Sequence, residues 1–294
     1  MNKIAIMMRI KLSGESINNE GNIGNVVQPR QIEMKNGEVR QAISGEMLKH
    51  YHSRNLRLLA DEDELCDTCK IFSPMKNGSV TNEDHELSSN GNKVRQCIVD
   101  DAEGFMNAGK GKNEKRTSCI KFSWAIATEE NDYQTMLHSR VDVTEDNYVK
   151  KTERKKGESD GNTNEDQNTQ MIFYRPIRDN LYAITIQVDL DRIGFDDEKL
   201  KYVLSENKIK ERQKKCIKAL INMFVDMEGA MCSTRLPHIE NIEGVLVTKT
   251  DKNQILSKYS ALNDDYKEVN AKISDKATVF NNIVEFVDVM KKII

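Results

Sequence analysis

Two short stretches of this chain carry residue types that can do chemistry. The first is SGEMLKH, Ser44 to His50, within VRQAISGEMLKHYHSRNLR. A serine whose hydroxyl accepts a backbone N–H caps a helix, and the helix that follows presents unpaired amides and a positive dipole end. With Lys49 one turn on and His50 beside it, such a start suits an anion, above all a phosphate. Arg40 precedes the helix at the same end, and His52, Arg54 and Arg57 continue its basic character, the two arginines as surface charges. The second stretch is Cys66-x-x-Cys69, a spacing that sets two thiolates on one zinc ion at about 2.3 Å each. Cys97 and His85 are the further ligands offered by the same region, with Cys119 farther off, and the alternative is a set of free thiols.

Asp100, Asp101 and Glu103 in CIVDDAEGFM form a carboxylate group of the kind that binds metal or moves protons. No His or Lys stands close by in sequence, so they are expected at a turn that ends a short strand. Neither a Ser-His-Asp set nor a Gly-rich phosphate loop is visible elsewhere. The expectation is a protein that is not an enzyme.

The composition sets bounds on partners. A chain of 294 residues with 38% hydrophobic residues can bury a real core, while 31% charged and only 6% aromatic residues leave much polar surface. A net charge of -3 excludes a protein coated in positive charge, so contact with nucleic acid has to be a local stripe. That stripe falls at the N-terminal end, where the first sixty residues hold nine Lys or Arg against five acids. The apolar run Ile4 to Ile10 is closed by Arg9 and Lys11 too early for a signal core or a membrane span, which points to a cytoplasmic protein. Six irregularly spaced cysteines do not read as a disulfide framework, and Cys216 and Cys232 read as simply buried.

These residues need elements to position them. KIAIMMRIKLS reads as a central strand, GESINNEGNIGNVVQPR as a loop, and Gln41 to Leu59 as a helix with an apolar stripe of Ile43, Met47, Leu48, Tyr51, Leu58 and Leu59. Residues 61–118 lose periodicity and read as an insertion. CIKFSWAIAT and HSRVDVTE have strand character, and DNYVKKTERKKGESDGNTNEDQNTQ is a second polar interruption. MIFYRPI and LYAITIQVDL read as strands, the second with Tyr182, Ile184, Ile186 and Val188 on one face. A long helix is expected over Asp196 to Met227, then a strand in NIEGVLVTKT and a helical region from Asn253 to Ile294. Without the insertions the order is strand, helix, strand, strand, helix, strand, that of an α+β ferredoxin-like or RNA-recognition-motif fold.

INNEGNIG, VRQAISGEMLKHYHSR, SRVDVTE, YAITIQVDLDRIG and GAMCSTRLPH, in that order between about Lys3 and Thr248, resemble the CRISPR-associated DevR family, the Cas-seven backbone subunit of type I Cascade complexes, type I-B-like. The resemblance implies a hand: an RRM-like palm of residues 1–60, 119–142 and 173–250, a finger insertion at 61–118, a thumb β-hairpin at 143–172 and a helical C-terminal extension at 251–294. It implies RNA contact at Ser44, Gly45, Lys49 and His50, with Arg40 a plausible addition; the second basic position holds a histidine here, charged only in part near neutral pH. In the thumb, KKTERKK is a candidate contact, and Met171 and Ile172 are either an apolar wedge between bases or strand core.

The partners implied are CRISPR guide RNA, a target DNA strand reached through the guide, further copies of the chain and other Cascade subunits, in antiviral defence. Type III relatives cut RNA with an aspartate in the loop after the first strand; here Lys11 to Gln41 holds Glu15, Glu20, Glu33 and Glu38 but no Asp. A type III-like RNA-cleaving subunit using one of these glutamates, and a stand-alone nucleic-acid-binding regulator, are the competing readings.

Overall fold

The apolar run near the N-terminus forms β1 (Lys3–Glu15), the centre of the main sheet. The structure, a computed structural model, describes residues 2–72, 93–94, 96–109, 112–140, 171–227 and 232–293. After β1 come β2 (Asn19–Ile23), β3 (Val26–Pro29), β4 (Gln31–Glu33), β5 (Val39–Ile43) and α1 (Gly45–Leu59). The insertion holds α2 (Asp67–Lys70), α3 (Ile98–Glu103), β6 (Phe105–Gly109) and β7 (Lys112–Arg116). Then follow β8 (Ile120–Phe122), β9 (Ala125–Ala127), β10 (Gln134–Arg140), β11 (Met171–Asp189), β12 (Phe195–Asp196), β13 (Lys201–Tyr202) and α4 (Glu206–Val225). β14 (His238–Lys249), α5 (Tyr266–Ile273), β15 (Ala277–Phe280) and α6 (Ile283–Lys291) complete the chain.

The sheet runs β15-β14-β1-β11-β9-β5-β4, with β8 also on β11. β1 is antiparallel to both neighbours, and Ile6 lies opposite Ile186 on one side and Leu246 on the other. One face carries Ile4, Ile6, Met8 and Ile10 with Tyr182, Ile184, Ile186 and Val188, as the alternation in LYAITIQVDL requires, and packs against Leu48 and Leu56 of α1 and Ile217, Leu220 and Phe224 of α4. The other face, Ala5, Met7, Ala183, Val245 and Val247, is covered by Ala261 and Tyr266. Burial on both faces explains why IAIMM is a continuous apolar run and not an alternating one.

Several elements differ from expectation. MIFYRPI and LYAITIQVDL are one strand, because the first half of β11 pairs with β10 and the second half with β1, β8 and β9. The loop after β1 contains the β2–β3 hairpin, turned at Gly24-Asn25 with Gly24 at a φ of 61°. The helix expected from Asp196 begins only at Glu206: the Asp196 carboxylate takes the amides of Glu198 (2.9 Å) and Lys199 (3.2 Å), which bends the chain, and Ser205 caps α4 by accepting the Lys208 amide. The C-terminal region is not helical throughout, since β15 adds a strand on β14. The acidic CIVDDAE is the helix α3 and not the end of a strand.

Where β1 ends, Glu15 is fully buried. Arg178 Nε lies 2.7 Å from one of its oxygens, and the Tyr182 hydroxyl (2.5 Å) and the Ile17 amide (2.6 Å) donate to it. Burial and the neighbouring carboxylate push the Tyr182 hydroxyl well above its ordinary value, so it stays a proton donor. Arg178→Met leaves this carboxylate buried without its cation and is expected to cost about 3–5 kcal/mol. Urea unfolding measures it, and an unchanged midpoint would refute this role for the pair.

Candidate nucleic-acid interface

α1 starts at Gly45 because Ser44 is extended (φ -70°, ψ 149°) and its hydroxyl accepts the Met47 amide at 3.2 Å. Ser44 is itself held from behind: its amide donates to the Asn18 side chain at 2.6 Å, with Asn18 in the left-handed region (φ 56°). The amides of Gly45 and Glu46 have no acceptor among the described residues. A side chain at position 45 would bring a Cβ within 3.0 Å of the Phe122 carbonyl and 3.4 Å of the Ser123 carbonyl, so glycine gives the closest fit of the helix start against the end of β8.

The cations near this start are not equivalent. Lys49 is half-buried and has no carboxylate partner among the described residues. Arg40 is bound through Nη2 to Glu38 at 2.6 Å, and its charge is largely spent there. His50 packs edge-on to Phe72, ring centres 5.2 Å apart, and partial burial together with the Arg54 charge lowers its pKa, which weakens it as a cation. His52 is not on the basic face at all: it is fully buried, paired through Nδ1 with Glu103 and through Nε2 with the Cys216 carbonyl at 3.0 Å. Arg57 is a strut, donating from Nε to the Cys69 carbonyl (2.9 Å) and from Nη2 to the Lys70 carbonyl.

A second basic group was not singled out from the sequence. His138 stacks on Phe173 (ring centres 5.5 Å, interplanar angle 17°), Arg175 lies 4.5 Å over the same ring, and Arg235 contacts His138 and donates to Ser16 at 3.3 Å. Burial and the charges of Arg235 and Arg175 hold His138 below its ordinary pKa. Ser16 and Asn18 are two residues apart in the chain, so this group and the start of α1 share one stretch of backbone. Beside that start, Arg30 lies 5.5 Å over the ring of Trp124, the only tryptophan of the chain. Their signal in the sequence was weak, since the partners of each contact lie far apart in the chain.

The other candidates fall as follows. Cys66, Cys69 and Cys97 come together, joined by Asp100, while His85 lies outside the described residues. Cys216 is buried and Cys232 half-buried. Asp101 is fully buried between Arg116 (2.8 Å) and Arg212 (3.0 Å), and the Gly194 amide donates to it at 2.9 Å. Met171 begins β11 opposite Arg140, and residues 143–170, where a thumb is expected and which include KKTERKK, lie outside the described residues.

A profile of the family described as CRISPR-associated negative auto-regulator DevR/Csa2 matches residues 6–271. The chain belongs to the DevR/Csa2 family. Among solved structures, this DevR/Csa2 chain is distantly similar to one described as a CRISPR RNA-guided surveillance complex, pre-nicking, at 9% identity, over 85% of this chain and 79% of that one, with a TM-score of 0.46. A second, described as a CRISPR RNA-guided surveillance complex, is similar at 10% identity over 99% and 84% of the two chains, with a TM-score of 0.44. No curated protein matches the sequence significantly.

In this family member the capping role of Ser44 is separable from its charge environment. Ser44→Ala is expected to destabilise the protein by about 1 kcal/mol and Ser44→Asp by much less, because aspartate caps as well as serine. Thermal unfolding compares them, and equal losses would contradict the capping role.

Proposed function

We propose that this protein is a non-catalytic backbone subunit that binds CRISPR guide RNA in a type I Cascade-like complex, several copies lying along one RNA that pairs with a target DNA strand. The observation that carries the proposal is that two basic groups are held by one stretch of backbone: Asn18 holds Ser44 at the start of α1, with Lys49 and the amides of Gly45 and Glu46, and Ser16 holds Arg235 beside His138 and Arg175. Amides, a lysine and stacked arginines are the groups that hold a phosphodiester backbone without reading its bases, which is what a subunit accepting any guide sequence needs.

We read the body as an RRM-type palm, on the strand order β14-β1-β11-β8/β9 with α1 and α4 on one face. In many such folds RNA lies on the open sheet face and stacks on its aromatics. Here Ala261 and Tyr266 cover that face, which favours the helix start and the end of β11 as the RNA path. Residues 61–118 would be the finger and 143–172 the thumb, with Met171 as a base-separating wedge. Of the four glutamates open to the RNA-cleaving reading, Glu15 is buried against Arg178, Tyr182 and Ile17, and Glu38 is held by Arg40.

Lys49→Glu and Ser44→Asp each set a negative charge beside the proposed phosphate while leaving the helix cap intact. Both are expected to lower guide RNA binding by about tenfold or more at moderate salt, with a shallower salt dependence for Lys49→Glu and little change in melting temperature. RNA content equal to wild type in both purified variants would refute the assignment. Because desolvation and the charges of Arg235 and Arg175 hold the His138 pKa down and a phosphate would raise it, RNA binding should take up a proton. Affinity is therefore expected to rise as pH falls from about 8 to about 6, and His138→Gln should flatten the dependence. A slope unchanged in His138→Gln would place the phosphate elsewhere.

A further inference from the structure

Two pairs of potential ligands stand at the starts of two short helices. Cys66 caps α2 and Cys69 lies within it; Cys97 caps α3 and Asp100 lies within it. Both pairs have a spacing of three, which turns the two side chains of each pair to one side of its helix. The three thiols and the Asp100 carboxylate bring their ligand atoms within 4.8 Å of one another, and all four residues are buried, Cys97 and Asp100 completely.

We propose that Cys66, Cys69, Cys97 and Asp100 bind one structural zinc ion that clasps the base of the insertion following α1. Tetrahedral zinc with sulfur bonds of about 2.3 Å sets its ligands about 3.8 Å apart, so the cluster needs only a small contraction. Three soft thiolates and one oxygen select zinc over magnesium or calcium. With four protein ligands and no exposed position, the site is closed to water and substrate, which assigns it a structural role. Binding the thiols as thiolates releases their protons to water.

The clasp has a consequence for its surroundings. It joins the outgoing turn of the insertion, Cys66 to Cys69, to its returning helix, and the carbonyls of Cys69 and Lys70 are those that Arg57 of α1 grips. Phe72, two residues after Lys70, packs against His50. The ion therefore fixes the insertion against the basic helix, whatever that helix binds.

The test uses the full-length chain purified under reducing conditions from zinc-supplemented culture. Plasma mass spectrometry is expected to find about one zinc per chain, falling to background in the Cys66→Ser/Cys69→Ser double variant and unchanged in Cys232→Ser. Because the double variant can fail to fold, a second measurement replaces zinc by Co2+ in wild-type protein. Thiolate-to-cobalt charge-transfer absorption with tetrahedral ligand-field bands is expected, and Asp100→Asn should retain the thiolate band while losing a competition against a chelator by about tenfold or more. Wild-type protein that holds no zinc and takes up no Co2+ overturns the proposal, as does a Cys66–Cys69 disulfide in the purified chain.

Discussion

Ile4, Ile6, Met8 and Ile10 face the helices α1 and α4, while Ala5 and Met7 face the segment around Ala261 and Tyr266, so β1 from Ile4 to Met8 has no side turned to water. A strand buried on both faces has to be apolar throughout, and it has to be covered twice. The second cover comes from the C-terminal part of the chain, where Tyr266 lies under Arg9, the guanidinium 5.2 Å from its ring centre, and Arg9 donates to the Ala261 carbonyl at 2.8 Å. Closing the sheet in this way removes its face as a platform for bases. What remains for a polymer is the rim of the sheet, where α1 begins and where the long strand β11 runs on past β1 with β10.

The described part of residues 61–118 is tied to the body by charge as well as by apolar packing, with Ile98, Val99 and Ala102 in the main core. Asp101 of α3 joins Arg116 at its far end and Arg212 of α4, Glu64 at its near end meets Lys215 of α4 at 2.5 Å, and Glu103 pairs with His52. Such buried pairs contribute little net stability over apolar substitutes, but removing one partner leaves an uncompensated charge, so they enforce a single arrangement. Gly104 belongs to the same logic: at a φ of 67°, with the space for a Cβ only 2.2 Å from the Arg116 carbonyl, it lets α3 turn directly into β6. The zinc clasp would add a fourth tie at the point where the insertion leaves α1.

Periodicity and order made much of this legible in the sequence. The alternation Tyr182, Ile184, Ile186, Val188, the continuous run Ile4 to Met8 and the Ser44 cap each follow from one local rule, and each stands as expected. Illegible were features made by residues distant in sequence. His52 reads as one more basic residue until Glu103 and the Cys216 carbonyl enclose it. Asp100 reads as part of an acidic group until the fold sends Asp100, Asp101 and Glu103 to three different partners. Arg175, Phe173, His138 and Arg235 come from three separate segments, so nothing in their spacing marked them. The strand order around β1 makes them neighbours.

The central claim is that a phosphodiester backbone crosses the start of α1. It is tested most directly by irradiating the RNA-bound protein with ultraviolet light and mapping the cross-linked peptides by mass spectrometry. The account predicts adducts in the peptide containing Ser44 to His50 and in those containing His138 or Phe173. Adducts confined to the segment around Tyr259 and Tyr266, with none at residues 44–50, would contradict it.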